Sequence, residues 1–224
     1  MPGSQSMITF LAVTGAGYPA ARAVAPAPWP PAPPRRNIGP MTVDWNHELA
    51  DQLDLLWRTQ LRQRLDGMTV EEYLWEPAPG CWNVRPREQA DPARAVGAGD
   101  FTIDYESPEP DPPPVTTIAW RLGHVIVGVL GARNAAHFGG PPVDYGSFAY
   151  AGTPDEALRQ LDDAYDLWIK GVRALGTEGL DRRCGPAEGP YADHSLAALV
   201  LHVNREVIHH GAEIALLRDL YRHC

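Results

Sequence analysis

The stretch NREVIHHGAEI, residues 204–214, puts Glu206, His209, His210 and Glu213 within about two helical turns, between the apolar runs LAALVLHV and ALLRDLY. Set out as heptads, Leu196, Val203, His210 and Leu217 share one seam position, and Leu199, Glu206, Glu213 and Leu220 share the other. Glu206, His210 and Glu213 are therefore expected on the buried face, with His202 and His209 beside it. Glu206 and His210 are one turn apart, so their side chains meet. A buried carboxylate next to an imidazole is costly unless it is paired or bound to a metal. Two nitrogen or oxygen ligands four residues apart on a helix are also a recurrent grip for a divalent cation.

A cation needs a third ligand. The segment VTTIAWRLGHVIVGVLGARNAAH, residues 115–137, is apolar nearly all round, with Arg121 and His124 as its polar exceptions. His124 is the candidate. Two imidazoles and a carboxylate leave coordination positions open, as catalytic metals require. An open position takes water or a thiolate and lowers its pKa. The residue types alone leave plainer readings open. His124 is then a hydrogen-bonded core histidine, and Glu206 with His210 an internal ion pair. Glu213 either orients a ligating imidazole or satisfies a loop, while His202 and His209 belong to the flank or rim.

Four helical segments must position these groups. The first, about 44–66, has Leu49, Leu53, Trp57, Leu61 and Leu65 at four-residue spacing and stops at Asp66–Gly67. The second, about 115–137, follows Pro112–Pro114 and has Thr116 or Thr117 as its N-cap. The third opens with TPDEA, where Thr153 caps, Pro154 takes the first position and Glu156 completes a capping-box pattern. It carries Leu158, Leu161, Tyr165, Trp168 and Val172 inward and ends near Gly176. The fourth starts near Asp193 or Ser195 and runs to about Arg222. Strand-like alternation competes only around FTIDYES, residues 101–107. The fold class read from this pattern is all-α, an antiparallel four-helix bundle.

The connection from 67 to 114 is unusually long, and loops of that length in compact domains are functional or disordered. Tyr73, Trp75 and Trp82 in YLWEPAPGCWNVRPR give it something to pack, so it is expected to fold over one end of the bundle. Arg85 there is either a structural clamp or a contact for a ligand carboxylate. Cys81 has no neighbouring base and reads as structural.

Composition narrows the partners. Residues 1–40 carry three Arg and no acid, whereas the rest of the chain holds all 28 acidic side chains against 16 basic ones. A body so acidic repels phosphate backbones and anionic lipid, which argues against nucleic acid or a membrane surface as partner. No stretch reaches the roughly 20 apolar residues of a membrane span. Cys81, Cys184 and Cys224 fit neither a disulfide framework nor a zinc pattern, which favours a reducing cytoplasm. AVAPAPWPPAPPRR makes residues 1–40 a Pro/Ala-rich disordered tail, and the preceding MITFLAVTGAG is only a weak match to a secretory signal. Met41 opens the first periodic segment, so the domain is read as 41–224, with the tail either part of the protein or upstream of its true start. The glycines of the second helix, Gly123, Gly128 and Gly131, suit close packing either within the bundle or across the interface of a homodimer.

WNVRPR (82–87), TTIAWRLGHV (116–125) and above all LHVNREVIHHGAEIALLRDLY (201–221) resemble the DinB-like four-helix bundle proteins, over about residues 43–222. The resemblance implies that His124, Glu206 and His210 hold a divalent metal such as Zn, Ni, Fe or Mn, with His209 a neighbour that is not the usual ligand. Many members have His where this chain has Glu206, and the His/Glu/His set is similar to that of the mycothiol-dependent maleylpyruvate isomerases. Those enzymes carry a further C-terminal domain, so that similarity is limited to the metal seam. Glu213 stands where Gln is common. The family includes transferases that use low-molecular-weight thiols such as mycothiol. The implied function is thus a metal-dependent thiol S-transferase or isomerase acting on an electrophilic small molecule. In that reading Trp75, Trp82 and Arg85 wall the pocket. The alternative is a non-catalytic bundle that binds a metal or small ligand.

Overall fold

A computed structural model describes residues 42–224; the expected tail, 1–40, and Met41 lie outside the described residues. The described part is mostly helical, with a small three-stranded sheet in the long connection. Among the described residues no helix is long and apolar enough to cross a membrane.

The first helix, α1 (45–64), starts at Asp44, whose carboxylate caps the amides of Asn46 and His47. On a regular helix, residues four apart drift by about 40° per step around the axis, because each residue turns about 100°. A π-helical turn at Trp57–Leu61 absorbs that drift and keeps Trp57, Leu61 and Leu65 in the core. A short helix, α2 (Val70–Tyr73), follows, capped by the Thr69 hydroxyl. The third, α3, spans 118–137 and is capped by Thr117. Its middle section, Val125–Gly131, is again π-helical and begins immediately after His124. Helix α4 (Pro154–Leu180) is capped by Thr153 and is interrupted at Gly176, where φ is 61°. Helix α5 (Leu196–Arg222) is capped by Ser195.

Named contacts fix how these helices run. Asn46 donates to the Val172 carbonyl and Arg62 pairs with Asp162, so α1 and α4 are antiparallel. Arg121 pairs with Glu213 while His124 faces His210, so α3 and α5 are antiparallel too. However, Asn204 donates to the Leu49 carbonyl and Arg64 pairs with Asp219, which makes α1 and α5 parallel. Asn134 donates to the Ala164 carbonyl and Phe138 packs on Trp168, so α3 and α4 are also parallel. The expected antiparallel arrangement therefore holds for two of these pairings and fails for the other two. One apolar core draws on all four long helices, including Leu53, Leu122, Trp168 and Val203.

The sheet corrects the all-α expectation. Strands β1 (Val84–Pro86), β2 (Ala95–Val96) and β3 (Phe101–Asp104) are antiparallel in the order β1-β3-β2, with Val84 opposite Ile103. The sheet anchors the start of α3. The Thr117 hydroxyl donates to Asn83 Oδ1 at 2.7 Å, and the Trp120 indole donates to the Asp104 carbonyl at 2.7 Å. Arg85 is a clamp, bonding Glu76, Asp104 and the Cys81 carbonyl. The buried Cys81 thiol donates to the Ala78 carbonyl, and burial pushes its pKa up, in keeping with a structural role. The Arg218 guanidinium, 1% exposed, pairs with Glu72 and bonds the carbonyls of Arg64 and Asp66, tying the start of the long connection to α5.

Asp54 gives the fold a pH dependence. Burial alone would raise its pKa, but the Tyr165 hydroxyl at 2.8 Å, Arg58 and Arg173 outweigh it and hold the carboxyl below its ordinary value. A depressed folded-state pKa stabilises fully above the unfolded value of about 3.9 and is lost as pH falls through the folded value. Asp54→Asn should lower unfolding free energy at neutral pH by about 1–3 kcal/mol in urea titrations. Below about pH 4 the gap between variant and wild type should narrow; a gap that stays constant to pH 2 would refute this account.

Candidate metal centre

The antiparallel packing of α3 and α5 brings His124 against His210, with ring centroids 4.8 Å apart and planes nearly perpendicular at 84°. One turn earlier on α5, Glu206 Oε2 lies 3.6 Å from His210 Nε2. The other nitrogen of that ring, Nδ1, lies 2.8 Å from Glu213 Oε2. An ionised carboxylate only accepts, so Nδ1 carries a proton toward Glu213. Nε2 of a neutral His210 then presents a lone pair toward a second carboxylate oxygen. Two acceptors facing one another repel unless a proton or a cation lies between them.

Glu213 is itself restrained. Burial would raise its pKa, but the His210 hydrogen bond and the charge of Arg121 hold it below the usual carboxylate value. Arg121, a polar exception already visible in the apolar helix, is its ion-pair partner. His209 Nε2 lies 3.3 Å from Glu213 Oε1, and its side chain is 61% exposed. Glu206 turns its Oε1 outward, where Arg205 Nη2 is 3.3 Å away and His202 Nδ1 is 3.5 Å away. His202 and His209 thus occupy the rim, as expected.

His124 is held differently. Its Nδ1 is 2.6 Å from the Tyr145 hydroxyl, and its ring stacks on Trp120 with centroids 5.4 Å apart. Burial pushes its pKa down to about 4, assisted by His210 and by Arg121 and Arg133, against the pull of Glu206. The imidazole is uncharged at neutral pH and keeps a lone pair for a ligand.

His124 and Glu206 each lie beside the His210 ring. Among the described residues, the donor atoms that all lie within 4.8 Å of one another belong instead to His209, His210 and Glu213. Glu206 and Glu213 are half-buried, not deep in the core as the heptad reading implies. The long connection does not wall a pocket here as expected. Trp75 packs on Tyr221, and Trp82 reaches the seam only through Trp120.

Sequence reasoning missed Tyr145. It comes from the segment between α3 and α4, and nothing in its local sequence marks it. The usable signal was Gly128, where a Cβ would stand 2.3 Å from the Tyr145 hydroxyl oxygen and 3.2 Å from His124 Nδ1. The other two glycines of α3 meet Ile103 and Tyr150 (Gly123) and Val143 (Gly131), so this helix face is covered by the chain itself.

These features define a helical domain with a histidine and carboxylate seam between two of its helices. The profile of the DinB superfamily matches residues 52–214, and the chain belongs to that superfamily. No curated protein and no solved structure gives a significant match.

Gly128→Ala should expel the Tyr145 hydroxyl from His124. Helix propensity alone would make this substitution stabilising by up to about 1 kcal/mol. We expect net destabilisation in urea and a shift of the His124 Nδ1 resonance in imidazole ¹⁵N spectra, reproduced by Tyr145→Phe. A stabilised Gly128→Ala with an unmoved resonance would show that the contact does not hold the ring.

Proposed function

We propose that His124, Glu206 and His210 hold a divalent cation, and that the protein is a metal-dependent transferase or isomerase using a low-molecular-weight thiol and an electrophilic small molecule. In this reading the four long helices are the family's bundle. The observation that carries the metal is the pair of acceptors, His210 Nε2 and Glu206 Oε2, 3.6 Å apart beside a neutral His124. The donor set suits Zn, Ni, Fe(II) or Mn. Both imidazoles have an outer oxygen partner on Nδ1, Tyr145 for His124 and Glu213 for His210, which leaves each Nε2 as the ligating atom.

The rival donor set, His209, His210 and Glu213, is favoured by its short mutual distances. It is disfavoured because Glu213 already spends its charge on the Arg121 guanidinium, which makes it a poorer ligand than Glu206. A bound cation would supply Lewis acidity, lowering the pKa of a thiol that shares the site. The chain's own residues orient and shield: Trp120 and Tyr145 close the His124 side to water, while Arg121 and Glu213 fix the plane of His210. Cys81, Cys184 and Cys224 are free thiols, which suits the cytoplasmic setting where reduced small thiols are abundant.

Elemental analysis tests the metal. We expect about one divalent ion per chain in wild type, lost in Glu206→Ala and in His210→Ala and kept in His209→Ala. Glu213→Gln should weaken affinity about 10- to 100-fold without abolishing it. Loss in His209→Ala with retention in Glu206→Ala would select the rival set. A protein left metal-free after incubation with all four ions would mean that His210 is simply a protonated bridge between the two carboxylates.

Consumption of a fluorogenic electrophile such as monochlorobimane, with mycothiol present, tests the chemistry. The rate should exceed the uncatalysed one and should vanish after chelation and in His210→Ala. Metal binding without any rate above background would leave the non-catalytic alternative, a metal- or ligand-binding domain.

A further inference from the structure

A second feature lies one turn along α5 from the seam, and neither the proposed ligands nor the long connection accounts for it. A cavity of about 270 Å³ opens between the C-terminal half of α3, the first turns of α5 and the segment before α5. That size is close to the lower end of the roughly 300–1,000 Å³ typical of small-ligand pockets. Its apolar lining comes from Cys184, Ala198 and Leu199, and its polar lining includes Arg133, His194, His202 and Arg205. The cationic and imidazole groups are notable in a chain with net charge −9.

We infer that this cavity binds a small organic monocarboxylate, with the carboxylate on Arg205 and His202 and the organic body over Ala198 and Leu199. Arg205 is 70% exposed and spends one nitrogen, Nη2, on His202 Nδ1 at 2.7 Å and Glu206 Oε1 at 3.3 Å. A guanidinium has five N–H donors, so those on Nε and Nη1 remain for the oxygens of a ligand. Because His202 Nδ1 accepts from Arg205, its proton resides on Nε2, which makes the ring a donor as well. Arg133 adds an Nε that is buried without an acceptor.

The one acidic lining residue is already answered. Glu188 is 3.0 Å from His137 and 3.3 Å from Arg133. The carboxylate of Glu206 beside Arg205 disfavours a dianion such as phosphate more than a monoanion. Since His202 both lines the cavity and stands 3.5 Å from Glu206, the carboxylate end of a ligand would lie beside the seam. The cavity is thus the place for an acidic substrate of the proposed reaction, although its binding does not depend on the cation.

The test is a ¹⁹F NMR titration of the full chain with 4-fluorobenzoate, with neutral 4-fluorobenzamide as control. Saturable binding of the carboxylate is expected, with the amide at least about 10-fold weaker, because charge-assisted hydrogen bonds are lost. The exposed substitution Arg205→Gln should weaken the carboxylate by a similar factor, and Ala198→Phe, which fills the cavity, should abolish binding. Circular dichroism would check that both variants fold, and inorganic phosphate should not displace the probe. His210→Ala, which removes the proposed metal ligand, should leave affinity unchanged. Failure to saturate, equal affinity for the amide, displacement by phosphate or persistence in Ala198→Phe would overturn the inference. Loss of binding in His210→Ala would also overturn it, by placing the carboxylate in the seam. The metal reading stands or falls separately, on metal content.

Discussion

A seam that withdraws two carboxylates and two imidazoles from bulk water must balance its charge, and the arrangement of α3 and α5 follows from that constraint. Arg121 answers Glu213, Glu213 accepts a hydrogen bond from Nδ1 of His210, and His210 turns its remaining nitrogen to Glu206. Each link orients the next, so the plane of His210 is determined from a residue on the opposite helix. The chain of pairs ends one positive charge short, because Arg205 reaches Glu206 only from the solvent side. A proton or a metal ion supplies the same missing charge at the same place. The choice between them is set by whether His124 is close enough and basic enough to join.

His124 is kept uncharged through a different physical route. It has no carboxylate on its Nδ1, only a tyrosine hydroxyl, and it is packed between aromatic rings. Burial therefore dominates its titration and keeps it uncharged. The two imidazoles are thus held in different ways, one by hydrogen bonding to an anion and one by desolvation. A substitution that moved a carboxylate beside His124 would favour its cationic form and work against ligation.

Much of this was legible in the sequence because helix signals are local. Thr153 and Pro154 marked a helix start that the structure places at the same residues, and Thr117 and Ser195 were each one of two candidates for a further start. The seam residues on α5 were legible for the same reason, since i and i+4 meet on any helix. The heptad frame failed toward the C-terminus. A strict seven-residue repeat drifts by about 20° per heptad on a straight α-helix. Over three heptads that turns Leu220 outward, to 45% exposure, and brings in Arg218, at 1%. The strands Val84–Pro86 and Ala95–Val96 were invisible because runs of two or three residues carry no periodicity. Only β3, within FTIDYES, was long enough to register.

Tyr145 was beyond a local reading for a topological reason. Because α3 and α4 are parallel, the chain must travel back along the helices between His137 and Pro154 before it can start α4. That return path crosses the side-chain-free face of α3, and Gly128 lets a tyrosine hydroxyl approach the His124 ring from there. Had α3 and α4 been joined as an antiparallel hairpin, a short turn would have sufficed and no residue would have been carried past His124. The same return path covers Gly123 and Gly131, so the glycines expected to pack either within the bundle or across an interface meet this crossover. Helix direction, which amphipathic patterning does not encode, therefore decided which residue holds the first histidine of the seam.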